Sequence, residues 1–215
     1  DLELFRARFQ PITVPCVLLT NTAKDLHFDN LSSLTTDDGE AAAQVIEFLA
    51  GQGHRRICLL GGNWSCSQIS YRRLEGCRRA FQRLGLPFDP ERQCEPCRYS
   101  MADAYAATER LLDRRPDLTA IFAMSDVMAI GAVRALRDRG RRVPEDISVV
   151  GYDGIPMASY SVPRLTTVRQ DTQRLAERGV DVLLRGIERR GQAPVHEVVP
   201  FQLIPGESVA RLADA

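Results

Sequence analysis

Residues 119–153 read T-A-I-F-A-M-S-D-V-M-A-I-G-A-V-R-A-L-R-D-R-G-R-R-V-P-E-D-I-S-V-V-G-Y-D, and this stretch decides the fold. A short apolar run, Ala120 to Ala123, stops at Ser125-Asp126, where a helix is predicted to begin. Ser125 can cap that helix by accepting a backbone N–H that has no intrahelical partner, and Asp126 suits the positive helix end. Val127, Ala129, Ile130, Val133 and Leu136 then recur at three-to-four spacing and make one buried face. Arg137 and Arg139 fall in the last turn, Gly140 ends the helix, and Pro144 follows in the loop. A second apolar run, Ile147 to Val150, ends in Gly151-Tyr152-Asp153. Strand, helix and strand in that order need a parallel sheet, and ligands of such sheets bind beyond the carboxyl ends of the strands. The two strand ends here carry Ser125-Asp126 and Tyr152-Asp153.

The same alternation extends in both directions. Upstream, Asp1 to Phe9 reads as the end of a helix and Val14 to Leu19 as a buried strand. Thr20 to Ser33 reads as a polar, irregular loop. A helix opens at Asp37-Asp38-Gly39 with an apolar stripe of Ala42, Val45, Ile46 and Leu49, and Arg56 to Leu60 is the next strand, ending in Gly61-Gly62-Asn63-Trp64. Tyr71 to Leu84 is an amphipathic helix, Glu91 to Tyr99 a weak strand or loop, and Met101 to Leu112 a helix. Downstream, a loop with Pro156 and Pro163 leads to the β-branched strand Leu165 to Val168. A long helix from Thr172 to Arg189 and a final strand from Val195 to Leu203 follow. Strands alternating with helices throughout predict an α/β fold with parallel sheets.

Composition narrows the function classes. The 215 residues are 44% hydrophobic, enough to bury a full core as one large domain or two lobes. Lys+Arg and Asp+Glu both number 28, so the chain lacks the basic excess of one that grips DNA by itself. No apolar run reaches the length of a membrane span, and no signal peptide is visible. The six cysteines include Cys16 and Cys58 inside apolar runs, where free thiols are common, which predicts a reducing cytoplasm. Cys94-Glu95-Pro96-Cys97 has redox-motif spacing but neither a strand-to-helix setting nor a second pair. His27, His54 and His196 lie on separate segments without zinc spacing. No G-x-S-x-G, P-loop or G-x-G-x-x-G occurs. Neither a metal, a cofactor nor an enzymatic activity is predicted.

The segments A-I-F-A-x-x-D-x-M-A-I-G-A-x-R-A-L and V-P-E-D-I-S-V-V-G-Y-D resemble the effector-binding core of the lactose/galactose-repressor family of bacterial transcription regulators. The second segment is the more specific, being typical of regulators and less so of the secreted sugar-binding proteins that share their fold. The resemblance runs from about Val14 to about Arg211. It implies two doubly wound parallel-sheet lobes of the periplasmic-binding-protein type with a small-molecule site in the cleft. One lobe would take residues 1–34 plus 168–194, and the other 35–167 plus 195–215. The first lobe is short of strand–helix units relative to the family, and no helix-turn-helix headpiece is present, so the chain is expected to lack an N-terminal part.

The resemblance also singles out residues. Arg73, three residues before Gly76 in Y-R-R-L-E-G, matches a ligand-binding arginine. A guanidinium offers a planar fork for adjacent hydroxyls or a carboxylate, although among Arg72, Arg78 and Arg79 it could equally be a solvated helix residue. Asp153 matches a carboxylate that can accept bonds from two hydroxyls; its plainer reading is a loop aspartate. Ser125 stands where many relatives carry Asn, and N-capping alone would also explain it, while Asp126 is read as holding the strand–helix turn. Gln170 matches a glutamine at the crossing between lobes. Tyr99 and Trp64 are candidate stacking platforms for a sugar ring, with simple packing as the alternative. Thr20 sits where relatives can carry an aspartate, in a loop to Asn30 expected to face the cleft.

These residues imply the effector-sensing, dimerising core of a transcriptional regulator, whose effector, a carbohydrate above all, closes the cleft and changes headpiece spacing on operator DNA. A coupling of about 1–3 kcal/mol would suffice. The alternatives are a regulator sensing a nucleoside or purine and a secreted sugar-binding protein serving a transporter. If Arg73 and Asp153 serve ligand alone, their alanine variants should leave the melting point of the unliganded protein nearly unchanged.

Overall fold

The computed structural model describes residues 2–22, 28–62, 64, 67–188 and 191–212. The chain divides into two compact units, residues 1–37 with 170–201 and residues 38–169 with 202–215. The strand–helix alternation read from the sequence is present in both.

The larger unit is built on a six-stranded sheet. Its strands run in the order β4 (Cys94–Pro96), β3 (Ile57–Gly61), β5 (Ala120–Ala123), β6 (Ser148–Asp153), β7 (Thr166–Gln170) and β9 (Phe201–Ile204). The pairs β3–β4, β3–β5, β5–β6 and β6–β7 are parallel, so their carboxyl ends share one edge. β5, β6 and the intervening α6 (Asp126–Asp138) are the strand–helix–strand unit of the opening stretch. Ser125 caps α6 as expected, its hydroxyl accepting the Met128 N–H at 3.2 Å. The helices α2 (Asp38–Gly51), α3 (Gln68–Arg83) and α5 (Met101–Arg114) complete the layers, with the short α4 (Pro90–Gln93) and α7 (Pro156–Tyr160). One apolar cluster, which includes Leu60, Leu111, Ile121, Met128, Leu136 and Val149, is buried between α5, α6 and the sheet. Burying it is the main stabilising contribution, since each such side chain gives about 1.5–3 kcal/mol.

The smaller unit has a parallel three-stranded sheet, β1 (Cys16–Leu19), β2 (Leu31–Thr35) and β8 (His196–Val198). Leu175 and Val182 of α8 (Thr172–Glu188) pack with Leu34 and Val199 as its core, and α1 (Leu2–Phe9) precedes the sheet.

Three expectations are corrected. The segment read as loop from Thr20 to Ser33 ends inside β2, a fully buried strand. Its polar residues conceal it. Ser32 Oγ accepts the Val195 N–H, and Ser33 Oγ pairs with His196 Nδ1 at 2.8 Å, so serines sit in the interior with their polar groups satisfied. The strand expected over Val195 to Leu203 is two strands in two sheets. The break falls at Pro200, which has no N–H to give a ladder. The smaller unit accordingly keeps residues through 201 rather than ending at 194. Finally, the loop after Asp153 contains α7. His27, Cys66 and residues 23–27 of the expected cleft-facing loop lie outside the described residues.

Candidate functional site

The carboxyl edge of the six-stranded sheet gathers six of the seven candidate residues, Gln170 as the last residue of β7. Arg73 lies on the buried face of α3, four residues before Cys77 and eight before Phe81, and is only 5% exposed. Its Nε donates to Asp38 Oδ1 at 2.8 Å, and an Nη donates to the carbonyl of Met124, which immediately follows β5. The guanidinium lies over the Tyr152 ring, 3.6 Å from its centroid, and the Tyr152 hydroxyl donates to the same Asp38 oxygen at 3.0 Å. Burial disfavours the Arg73 cation. Asp38, followed by Tyr152, Tyr99 and Asp153, outweighs it and holds the guanidinium above its ordinary pKa. Tyr152 is itself held protonated by burial.

Arg73 is therefore a buried structural cation, not a solvated helix residue, and this overturns the expectation that its loss leaves the unliganded protein unchanged. It also keeps a group in reserve. Its second terminal nitrogen donates to none of the described residues, and no buried side-chain nitrogen or oxygen is without a partner among them. That nitrogen is thus open to solvent. Two fixed contacts hold the fork still while the third position points outward.

Asp153 is the last residue of β6 and contributes to the field at Arg73. Its φ of 108° lies where side chains other than glycine are strained. The strain is held by Asp126, which is fully buried. Asp126 accepts the Thr167 hydroxyl at 2.6 Å and the Ile155 N–H at 2.8 Å, together with the Gly154 N–H. The carboxylate ties α6 to β7 and to the turn that follows Asp153, as the sequence reading of Asp126 proposed.

Burial, assisted by the nearby Asp153 charge and opposed by these hydrogen bonds, raises the Asp126 pKa to about 6. The folded chain therefore keeps its proton over a range in which the unfolded chain, near the usual 3.8, gives it up. Stability from this group is complete below about pH 4 and is lost as the pH rises to about 6, on the order of 3 kcal/mol. Denaturant unfolding from pH 4 to 7 is expected to show wild type losing stability relative to Asp126→Asn across that window. A constant difference between the two proteins would refute the assignment.

Two aromatic rings stand at the end of β3. The Trp64 ring rests against the Cα of Gly61 and the Tyr99 ring against that of Gly62, where any Cβ would collide with them. Tyr99 Oη and Ser70 Oγ are 2.8 Å apart, which ties the platform to α3. Ser125 is buried, with its hydroxyl engaged as the α6 cap.

Thr20 belongs to the smaller unit, whereas Gln170 is the last residue of β7 in the six-stranded sheet, where the chain passes into the smaller unit. Thr20 follows β1 with φ 63°, rare for a β-branched residue, and Gln170 Oε1 accepts the Thr36 hydroxyl at 3.0 Å. Sequence reasoning missed Asp38, which reads as a helix-start acid, and the role of Tyr152. The signal available was the helical spacing of Arg73 with Cys77 and Phe81. Burial raises the thiols of Cys94 to about 12 and of Cys97 to about 11, which leaves both protonated and unreactive.

Residues 46–209 match the model of the periplasmic binding protein-like domain family. The HTH-type transcriptional regulator MalR of Clostridium butyricum is 33% identical over 96% of this chain and 61% of its own length. Among solved structures, the transcriptional regulator CelR–cellobiose complex superimposes with TM-score 0.82 at 29% identity, covering 96% of this chain and 69% of that one. A LacI family transcriptional regulator from Enterococcus faecium with bound ribose gives TM-score 0.85 at 26% identity, over 99% and 77%. The chain spans between about half and three fifths of the length of the curated relatives it matches first.

Proposed function

The chain belongs to the lactose/galactose-repressor family of transcription regulators, and from that membership we propose that it is the effector-sensing core of a regulator responding to a small carbohydrate. The observation that carries this reading is the uncommitted Arg73 nitrogen beside the Asp153 carboxylate at the carboxyl ends of β5 and β6. The donor takes one hydroxyl oxygen and the carboxylate accepts from the neighbouring hydroxyls, which is how a polyol is gripped. Tyr99 and Trp64 supply faces on which the C–H side of a ring packs. Ser125 is a peripheral contact, Thr20 acts at a strand end of the smaller unit, and Gln170 at the end of β7. That known relatives hold cellobiose and ribose supports a sugar over a purine.

The effector signal passes to operator DNA through a headpiece outside this chain, in a cytoplasmic homodimer that carries out no catalysis. Self-association is favoured by Tyr160 and Val162, 85% and 88% exposed at the end of α7, the most exposed large apolar side chains among the described residues. No helix among the described residues is long and apolar enough to cross a membrane.

A thermal-shift screen of mono- and disaccharides, sugar phosphates and purines tests the reading. A saccharide at a hundred times its dissociation constant is expected to add about 2.7 kcal/mol to stability. A shift with purines and none with any saccharide would refute it.

A further inference from the structure

We propose that Tyr152 is a positioning residue for the effector: its hydroxyl restrains Asp38 to a single bond with Arg73 and so keeps one arginine nitrogen free for ligand. This deepens the proposed function and rests on Arg73 as the gripping donor. Arg73, Asp38, Met124 and Tyr152 all belong to the larger unit.

Nε and Nη2 of a guanidinium point the same way along one edge of its plane. A carboxylate that meets this edge ordinarily takes both, one oxygen on each. Nη1 of Arg73 is committed to the Met124 carbonyl. Asp38 meets the other edge yet takes only Nε, on Oδ1 at 2.8 Å. Nη2 donates to none of the described residues, and Asp38 Oδ2 accepts from none of them. The two side chains are only 5% and 4% exposed, so a pair that forgoes its second bond there needs a physical cause.

Tyr152 supplies it. Its hydroxyl donates to the same Oδ1 at 3.0 Å, which gives that oxygen two donors and turns the carboxylate away from the parallel arrangement. Its ring covers one face of the guanidinium, 3.6 Å from the central carbon, so the fork cannot tilt out of its plane. Tyr152 is itself fully buried on β6, a strand rather than a loop, and holds both partners rigidly. Without the hydroxyl, Asp38 is free to bring Oδ2 onto Nη2 and close the fork. The donor meant for a ligand hydroxyl would then be taken up by the protein itself.

Isothermal titration and thermal melting of wild type, Tyr152→Phe and Tyr152→Phe/Asp38→Asn test this, with glucose, ribose, cellobiose, maltose and adenosine as titrants. Tyr152→Phe keeps the ring and removes the hydroxyl. It is expected to weaken a ligand that the wild type binds by about tenfold or more. It should melt within about 2 °C of wild type, since the closed fork replaces the lost bond. In the double variant the amide oxygen can take Nε, but the amide nitrogen cannot accept from Nη2. Affinity should therefore return to within about threefold of wild type. A merely structural hydroxyl would lower melting temperature and affinity together, with no recovery from the second substitution. That outcome, or Tyr152→Phe binding as tightly as wild type, would overturn the proposal and leave the carbohydrate reading intact. Binding of adenosine and of no saccharide would overturn the carbohydrate reading, and the same comparison made with adenosine would decide the role of Tyr152. No binding by any of these titrants would overturn both.

Discussion

Arg73→Ala is expected to destabilise the unliganded protein by about 3–5 kcal/mol, the usual cost of removing one partner from a buried ion pair. Asp38, whose side chain is 4% exposed, would keep only the Tyr152 hydroxyl, and the Met124 carbonyl would lose its donor. For a chain of this size such a loss lowers the melting temperature by on the order of 10 °C. The energy comes chiefly from the stranded carboxylate, so the double variant Arg73→Ala/Asp38→Asn should recover part of it. A melting point for Arg73→Ala within about 2 °C of wild type would mean that the pair does not form. Loss of effector binding by Arg73→Ala alone therefore says little about contact with the ligand.

Asp153 offers the cleaner separation of stability from binding. Its carboxylate is proposed to accept two effector hydroxyls, and charged hydrogen bonds of this kind contribute about 1.5–3 kcal/mol each. Asp153→Ala should thus weaken the effector by at least about a hundredfold. Between Asp153→Ala and Asp153→Gly, which both lack the carboxylate, stability should respond to the backbone alone. At φ 108° a residue with a Cβ costs about 1–3 kcal/mol, and glycine relieves that at an entropic cost of about 0.5–1 kcal/mol. Asp153→Gly is therefore expected to melt above Asp153→Ala, with both variants failing to bind. If Asp153→Gly melted below Asp153→Ala, strain at this strand end would be excluded. If either variant bound with wild-type affinity, so would the carboxylate contact. Strain kept at the end of β6, against the interest of stability, is what a binding role requires.

The sheet and most helices were legible because apolar runs and caps specify them locally: Ser125 and Gly140 bracket α6, although its buried side is Met128, Ala129, Gly131, Ala132, Ala135 and Leu136, and the expected Val127, Ile130 and Val133 are only half-buried. β2 was not legible, since Ser32, Ser33 and Thr35 become interior residues only through partners such as Val195 and His196, more than a hundred and fifty residues away. The split of the last strand required knowing which sheet each half joins. Residue types and family motif singled out Arg73, Asp153, Tyr99 and Trp64, which the fold brings to one edge of the larger sheet. What they concealed was that Arg73 is held on three sides and that Asp126 holds the Asp153 turn. Both depend on Asp38, Tyr152 and Thr167, which come from segments distant in sequence. A charged residue in register with Cys77 and Phe81 was the one local hint of burial.

The claim that Arg73 uses its outward nitrogen to grip a sugar is tested most directly by calorimetric titration of Arg73→Lys beside wild type, with each saccharide that stabilises the protein. Lysine keeps a positive charge for Asp38 but lacks the fork that joins Asp38, Met124 and ligand at once. The expected result is a protein that folds, melts above Arg73→Ala, and has lost the saccharide by at least about a hundredfold, the equivalent of about 2.7 kcal/mol. An Arg73→Lys protein that bound the saccharide with wild-type affinity would contradict it and place the grip elsewhere.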